Sequence, residues 1–362
     1  NIFFFFCAVM KKSSVITLSA VLLSAPVMHT NAMTYNLSDS GILLYHNYSS
    51  YSAMDSSIHC YNLSSGDITD ICSDTFCNPM NADFGSHPYD MIFMAIDKSA
   101  DEWDIYRYNA LTGDITNLTY LSGFRNEDPK FSPDGKKIIF KRGYWNHGIN
   151  DFEYNLAELD LATSDITMLT DDIYEQSMPY YSSDGSKIYY ALSYDDDSYI
   201  YELQRSTSVS SPVFSEKNLY AYYPVTSDSN LYFTKWHSSD NHNDSIVKLN
   251  NGNITVLPFN NDNFNCSDPF PLSQNAMFYS STQNGSYDIF FYDGNTSYEI
   301  STINTGLNEL GSSFFSYNEI KNVILNTTDF LLGKSYNDIN MDADNNNHIS
   351  ISDLISFKSL CC

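Results

Sequence analysis

The side chains best placed to do chemistry lie near the end of the chain. Residues 342–353 read DADNNNHISISD. Counting Asp342 as position 1, oxygen-bearing side chains stand at positions 1, 3, 5, 9 and 12: Asp342, Asp344, Asn346, Ser350 and Asp353. His348, at position 7, offers its backbone carbonyl, and Ile349 supplies an apolar position 8. Ca2+ takes six to eight hard oxygen ligands, and this spacing wraps them around one ion. Three converging carboxylates repel one another, so binding and local ordering are coupled. Two departures weaken the grip. Asn347 stands where Gly is usual at position 6, although Asn tolerates left-handed geometry. Asp353 stands where Glu is usual at position 12, and its arm is shorter. The plain alternative is an acidic, Asn-rich tail that binds nothing.

The loop resembles an EF-hand. Its Asp at position 12 and its exit, Ile349-Ser350 then Asp353-Leu354, make it similar to a dockerin calcium repeat. That resemblance implies a protein partner of the cohesin type on a scaffold, as in complexes that degrade polysaccharides. Ile351, Leu354, Ile355, Phe357 and Leu360 form the expected short exiting helix. Dockerins carry two such loops, whereas residues 334–362 hold one. Asp338-Ile339-Asn340-Met341-Asp342 resembles another loop start, but its position 12 would be Ile349.

A second set of residues is aromatic and imidazole-bearing. Trp103, Trp145 and Trp236 lie in or beside loops that a repeat, described next, places between a second and a third strand. His46, His147 and His237 occupy equivalent loops. If these loops converge, the six residues make a surface for a polysaccharide or peptide, or a His metal site like that of propeller-type oligogalacturonate lyases. The plain alternative is loop-against-loop packing.

The elements that must position them come from a repeat. Its clearest copy, 128–170, opens DPKFSPDGKKIIFKR and closes LAELDLATSDITMLT. A Pro precedes a short aromatic strand, and a Ser-x-Asp-Gly turn leads to an apolar strand. An alternating strand, a tight turn and Asp-Ile-Thr then follow. Related strings start at 35, 87, 178, 223, 269 and 313. The last apolar residues of the second strands are Tyr45, Phe93, Phe140, Tyr190, Phe233, Phe278 and Leu325, spaced 48, 47, 50, 43, 45 and 47 apart. Four short strands per period of this size predict an all-β chain, a β-propeller of four-stranded blades. The count is six or seven, and the string at 313–326 favours seven.

FSPDGKKIIF, SSDGSKIYY and NGSYDIFFYD resemble the repeat of TolB-like propellers, shared with prolyl-oligopeptidase-type peptidases. The resemblance implies a fold, not an activity. No Gly-x-Ser-x-Gly elbow occurs, and no length remains for a hydrolase domain.

Composition narrows the rest. The chain has 362 residues, 18 Lys+Arg and 44 Asp+Glu, a formal charge of −26. Nucleic acid is excluded as a partner, because phosphate binding needs a basic surface. Met10-Lys11-Lys12, the apolar run from Val15 to Val27, and Thr30-Asn31-Ala32 read as a bacterial secretory signal over 10–32. Residues 1–9 read as upstream sequence, 33–333 as the propeller and 334–362 as the calcium segment. No stretch reads as a membrane span, so the protein is expected outside the cell. Removing Cys7 leaves Cys60, Cys72, Cys77, Cys266, Cys361 and Cys362, which allow 15 pairings. The expected function is non-catalytic binding with Ca2+ as the cofactor. The alternative is a secreted carbohydrate-active enzyme resembling a polysaccharide lyase.

Overall fold

The computed structural model describes residues 3–9, 17–23, 41–71, 76–99, 102–120, 123–194, 197–237, 243–273 and 275–316. Among them the only helix is a 3-10 turn, Tyr51–Ala53, and none is long and apolar enough to cross a membrane. The calcium-loop residues Asp342, Asp344, Asn346, His348, Ser350 and Asp353 lie outside the described residues, as do Leu325, Cys72, Cys361 and Cys362. Strands Phe3–Val9 and Thr17–Leu23 pair antiparallel as a separate two-stranded sheet.

Six four-stranded antiparallel units follow. The second unit runs Phe76–Phe84, Asp90–Asp97, Trp103–Asn109, Ile115–Asn117. The third runs Phe124–Phe131, Lys137–Asn146, Asp151–Asp160, Ile166–Met168. The fourth is Gln176–Tyr181, Lys187–Tyr194, Asp197–Gln204, Val209–Phe214. The fifth is Leu219–Ser227, Asn230–His237, Ser245–Asn250, Asn253–Val256, joined to the fourth by one parallel bridge between Ser198 and Tyr220. The sixth is Cys266–Pro271, Met277–Ser281, Asp288–Tyr292, Ser297–Glu299.

The first unit combines both ends of the described region. Gly41–Tyr48, Ser57–Asn62 and Ile68–Ile71 supply three strands, and Asn308–Ser316 supplies the remaining one by pairing with Gly41–Tyr48. The seventh unit favoured by the sequence is therefore corrected. The string starting at 313 completes the first sheet instead of opening another. Left alone, either strand would present an unpaired edge of N–H and C=O groups.

The Ser-x-Asp-Gly signals act as read. Gly135, at φ 66°, donates its N–H to the Ser132 carbonyl at 2.8 Å, and Ser132 Oγ donates to Asp134 Oδ1 at 2.7 Å. Gly185, at φ 68°, repeats the turn with Ser182 and Asp184. The periodic residues Tyr45, Phe93, Phe140, Tyr190, Phe233 and Phe278 all sit in second strands at 2% exposure or less. They divide among clusters in which consecutive units cover each other's apolar faces, as with Ile92 and Ile105 against Ile138, Phe140 and Ala157. The first strands touch one another in a cycle, unit to unit, and the sixth touches the first. A cycle of first strands surrounds an axis, which is how a propeller solves the burial problem of a two-faced sheet.

Candidate functional site

The six Trp and His positions do share one end of their sheets, near the passage from second to third strand. They do not form one surface. Trp103 is 7% exposed and packs on Met80 and Met94, so it belongs to a core cluster. His46 is also buried, with Nδ1 accepting the Asn81 N–H at 3.4 Å. Burial lowers its pKa to about 3, and nearby Lys130 adds to the effect, so His46 is neutral. Trp145 is exposed and meets the edge of Phe152 at 5.3 Å. Trp236 stacks on Tyr220 at 4.3 Å, nearly parallel. His147 and His237 are exposed at the rims of the third and fifth units, with the fourth unit between them. Among the described residues, no three His, Cys, Asp or Glu converge as a metal site requires. Cys60, Cys77 and Cys266 are free thiols.

The axis carries a polar constellation that the sequence reading missed. Each first strand has a bulge that holds a residue at positive φ, Gly311, Asn81, Asp128, Met178, Tyr223 and Asp268 in unit order, and the first strand of the second unit has another, at Asn78. Asn81 Nδ2 donates to Asp128 Oδ1 at 2.9 Å, and the Met178 N–H donates to Asp128 Oδ2 at 3.2 Å. The Gly311 N–H donates to Asp268 Oδ2 at 3.2 Å. These three bonds run sideways, from one unit to the next. A signal was present: Pro follows the bulge residue at 129, 179, 224 and 269.

Asp83 joins this axial set. It accepts Ser313 Oγ at 3.0 Å and the Phe131 N–H at 3.0 Å, and lies 3.7 Å from Lys130 Nζ. Burial raises the Asp268 carboxyl to about 6, against the donors Ser267 and Gly311 that favour its charge. Burial also raises the Tyr180 and Tyr223 phenols, with Asp83 acting on Tyr180 and Asp268 on Tyr223. The cavity between Asn81, Asp128, Lys130, Tyr180 and Tyr223 holds only about 20 Å3. That is room for about one water, so this axial cavity is too small for a substrate.

The larger cavity, about 270 Å3, opens at the fourth unit. Tyr194, at the end of the second strand, and Tyr199 and Tyr201, in the third, line it with Leu192. Leu192 pairs with Tyr199, and Tyr194 with Asp197, so all these side chains share one sheet face. Asp172 and Tyr174 close it from the segment leading out of the third unit. The rings of Tyr174 and Tyr194 meet at 79°, with centroids 4.6 Å apart. The sequence signal was the interleaving of Tyr with Asp in 171–174 and 194–201, which the Trp and His reading passed over.

No family model matches the chain, and no curated protein sequence matches it. Its backbone is similar to that of several solved structures. Kuenenia stuttgartiensis hydrazine synthase superposes with a TM-score of 0.63 at 12% identity over 76% of this chain. This chain spans about half, 47%, of that one. TolB from Acinetobacter baumannii gives a TM-score of 0.54 at 14% identity, covering 76% of this chain and 67% of that one. A structure of the nidogen/laminin complex gives 0.54 at 12% identity, covering 76% and 98%. At such identities the likeness shows the fold alone. It agrees with the TolB-like propeller resemblance of the repeats.

Proposed function

We propose that this chain is a secreted recognition protein without catalytic chemistry of its own. Its propeller holds a ligand at the end carrying the passages from second to third strand. Its C-terminal segment binds one Ca2+ and tethers the protein to a cohesin-like partner. The observation that carries the recognition half is the open, tyrosine-walled cavity of the fourth unit. Aromatic walls with a few polar groups are the usual lining of a small-ligand site. Support for the tether is the oxygen spacing from Asp342 to Asp353, and support for export is the signal-like segment 10–32. The lyase alternative needs imidazoles in reach of one substrate position. Of these, His46 is buried, and His147 and His237 lie at the rims of the third and fifth units.

The test uses the full chain against immobilised oligosaccharides, short peptides and a cohesin domain, with Ca2+ or with a chelator. Recognition at the cavity is supported by a ligand whose retention is lost in Tyr194→Ala. Tethering is supported by cohesin capture that the chelator abolishes. Turnover of a polysaccharide by the purified chain would overturn the reading in favour of the enzyme.

A further inference from the structure

We infer that the tyrosine cavity takes an organic ammonium ion. This names the ligand class for the recognition site proposed above and rests on that reading.

The lining is unusual in its chemistry. Four of its six residues are tyrosines, one is Leu192, and the last is the carboxylate Asp172. Among the described residues, no cationic side chain contributes to it. An aromatic ring is negative over its face, so several rings around one space attract a cation that is weakly hydrated. Tyr174 and Tyr194 supply two walls at nearly a right angle, a corner that a tetrahedral, methyl-clad ammonium fills better than a flat ring does. A sugar would ask for one flat platform and a mixture of donors and acceptors. Tyr194 is 41% exposed.

Charge around the mouth points the same way. Asp172 lies in the wall, Asp171 is exposed next to it, and Asp197 stands opposite Tyr194 across the strand pair. Tyr199 Oη donates to Asp197 Oδ2 at 3.0 Å, which fixes a carboxylate beside the ring. Glu175 does not count toward this excess, because Lys141 Nζ donates to it at 2.7 Å. On the side of Leu192 away from Tyr199, Gln176 occupies the opposing position. Its Oε1 is buried without a hydrogen-bond donor. The whole chain, at −26, adds a field that concentrates cations.

The experiment titrates the full chain with choline as the probe, and with 3,3-dimethylbutan-1-ol, its neutral isostere, by saturation-transfer NMR and calorimetry. Choline is expected to bind at least about tenfold more tightly than the isostere, and more weakly at high salt. Tyr194→Ala and Asp172→Asn should each weaken choline about two- to thirtyfold, the range of a cation–π contact or a near charge. Tyr194→Phe keeps the ring face and should stay within about threefold of the parent. Thermal melting of each variant separates lost binding from lost fold. Equal binding of choline and the isostere, or choline binding unchanged in Tyr194→Ala and Asp172→Asn, overturns the ammonium assignment. If choline fails while a neutral oligosaccharide or peptide binds and is lost in Tyr194→Ala, the recognition site stands and the ammonium class falls. If no ligand depends on Tyr194, both fall.

Discussion

Asp268 accepts the backbone N–H of Gly311 at 3.2 Å, and that bond joins the bulge of the sixth unit to the bulge of the strand that completes the first. It therefore sits at the seam where the two ends of the ring meet. A buried carboxylate at such a seam has two effects of opposite sign. Its hydrogen bonds hold the seam, and its charge costs desolvation there.

The first expectation concerns that charge. Asp268 has an ordinary carboxyl pKa of 3.8, raised to about 6 in the fold by burial, with Asp244 adding to the rise and Lys130 opposing it. A raised folded pKa gives stability that is fully present below 3.8 and lost as pH rises through 6. About two pKa steps correspond to roughly 3 kcal/mol. Asp268→Asn removes this loss but can accept only one of the two donors, Ser267 Oγ and the Gly311 N–H, at a cost of about 1 kcal/mol. Urea unfolding should find the variant about 2 kcal/mol more stable than the parent at pH 8 and about 1 kcal/mol less stable at pH 4. The same difference at both pH values would show that Asp268 does not titrate in the fold.

Gly311 should tolerate no side chain. Its φ is +67°, and a Cβ there would meet the His46 ring at 2.5 Å. Left-handed strain and the clash together predict that Gly311→Ala destabilises by about 3 kcal/mol. Gly252 is the control, at φ +77° with nothing within 4 Å. Gly252→Ala should cost about 1 kcal/mol, the backbone strain alone. Equal costs in denaturant unfolding would mean that the His46 contact is not tight.

How much of this was readable from the chain depends on the range of the interactions. The Ser132 and Ser182 turns close within four residues, so their sequence signals are complete. Tyr45, Phe93, Phe140, Tyr190, Phe233 and Phe278 were readable because burial recurs with the repeat. The unit count was not, because it depends on Phe314 pairing with Leu43, from opposite ends of the described region. Trp103 looked like a surface residue until Met80, from another strand, covered it. The tyrosine cavity escaped notice because Tyr174 leads out of one unit while Tyr194 belongs to the next.

His46 should make the protein sensitive to acid. Its pKa is 6.5 in the open chain and about 3 in the fold, because burial disfavours the imidazolium and Lys130 stands near. A lowered folded pKa gives stability that is present above 6.5 and lost as pH falls from 6.5 toward 3. The full loss is on the order of 4–5 kcal/mol. His46→Gln removes the titration, so its stability should fall less steeply than the parent's between pH 6 and pH 4. Asp268 acts with the opposite sign over part of this window, so the comparison is clearest in the Asp268→Asn background. Parallel slopes there would refute the assignment.

Ring completion by the last described strand makes a sharp truncation test. A chain ended after Leu307 lacks Asn308–Ser316 and leaves Gly41–Tyr48 with an open edge. Leu43 and Leu44 in that strand are fully buried. Such a chain should lose its cooperative thermal transition and bind a hydrophobic dye. A chain ended at residue 333 keeps every described strand and should melt like the parent. A cooperative transition in the shorter chain would mean that the five other units hold together without the seam.

The calcium proposal is tested at Asp342, the first position of the loop. In the full chain, calorimetry should find one Ca2+ site with an affinity between about micromolar and millimolar. The range is modest because Asp353 has a short arm at position 12 and no second loop precedes it in 334–362. Asp342, Asp344 and Asp353 repel one another without the ion, so binding should be accompanied by ordering of the segment, visible as new amide protection in hydrogen exchange. Asp342→Ala removes a carboxylate ligand and should abolish both the heat and the protection. It should leave the melting of the propeller unchanged, because the axial bonds of Asp128 and Asp268 are made within residues 41–316. Asp342→Asn keeps an oxygen at the position and should bind Ca2+ at least about tenfold more weakly than the parent. Calcium heat that is absent from the parent, or that persists undiminished in a chain ended at 333, would leave the tail a solvated acidic end and remove the tether. Heat that survives Asp342→Ala but is lost in a chain ended at 333 would instead move the site elsewhere in the tail.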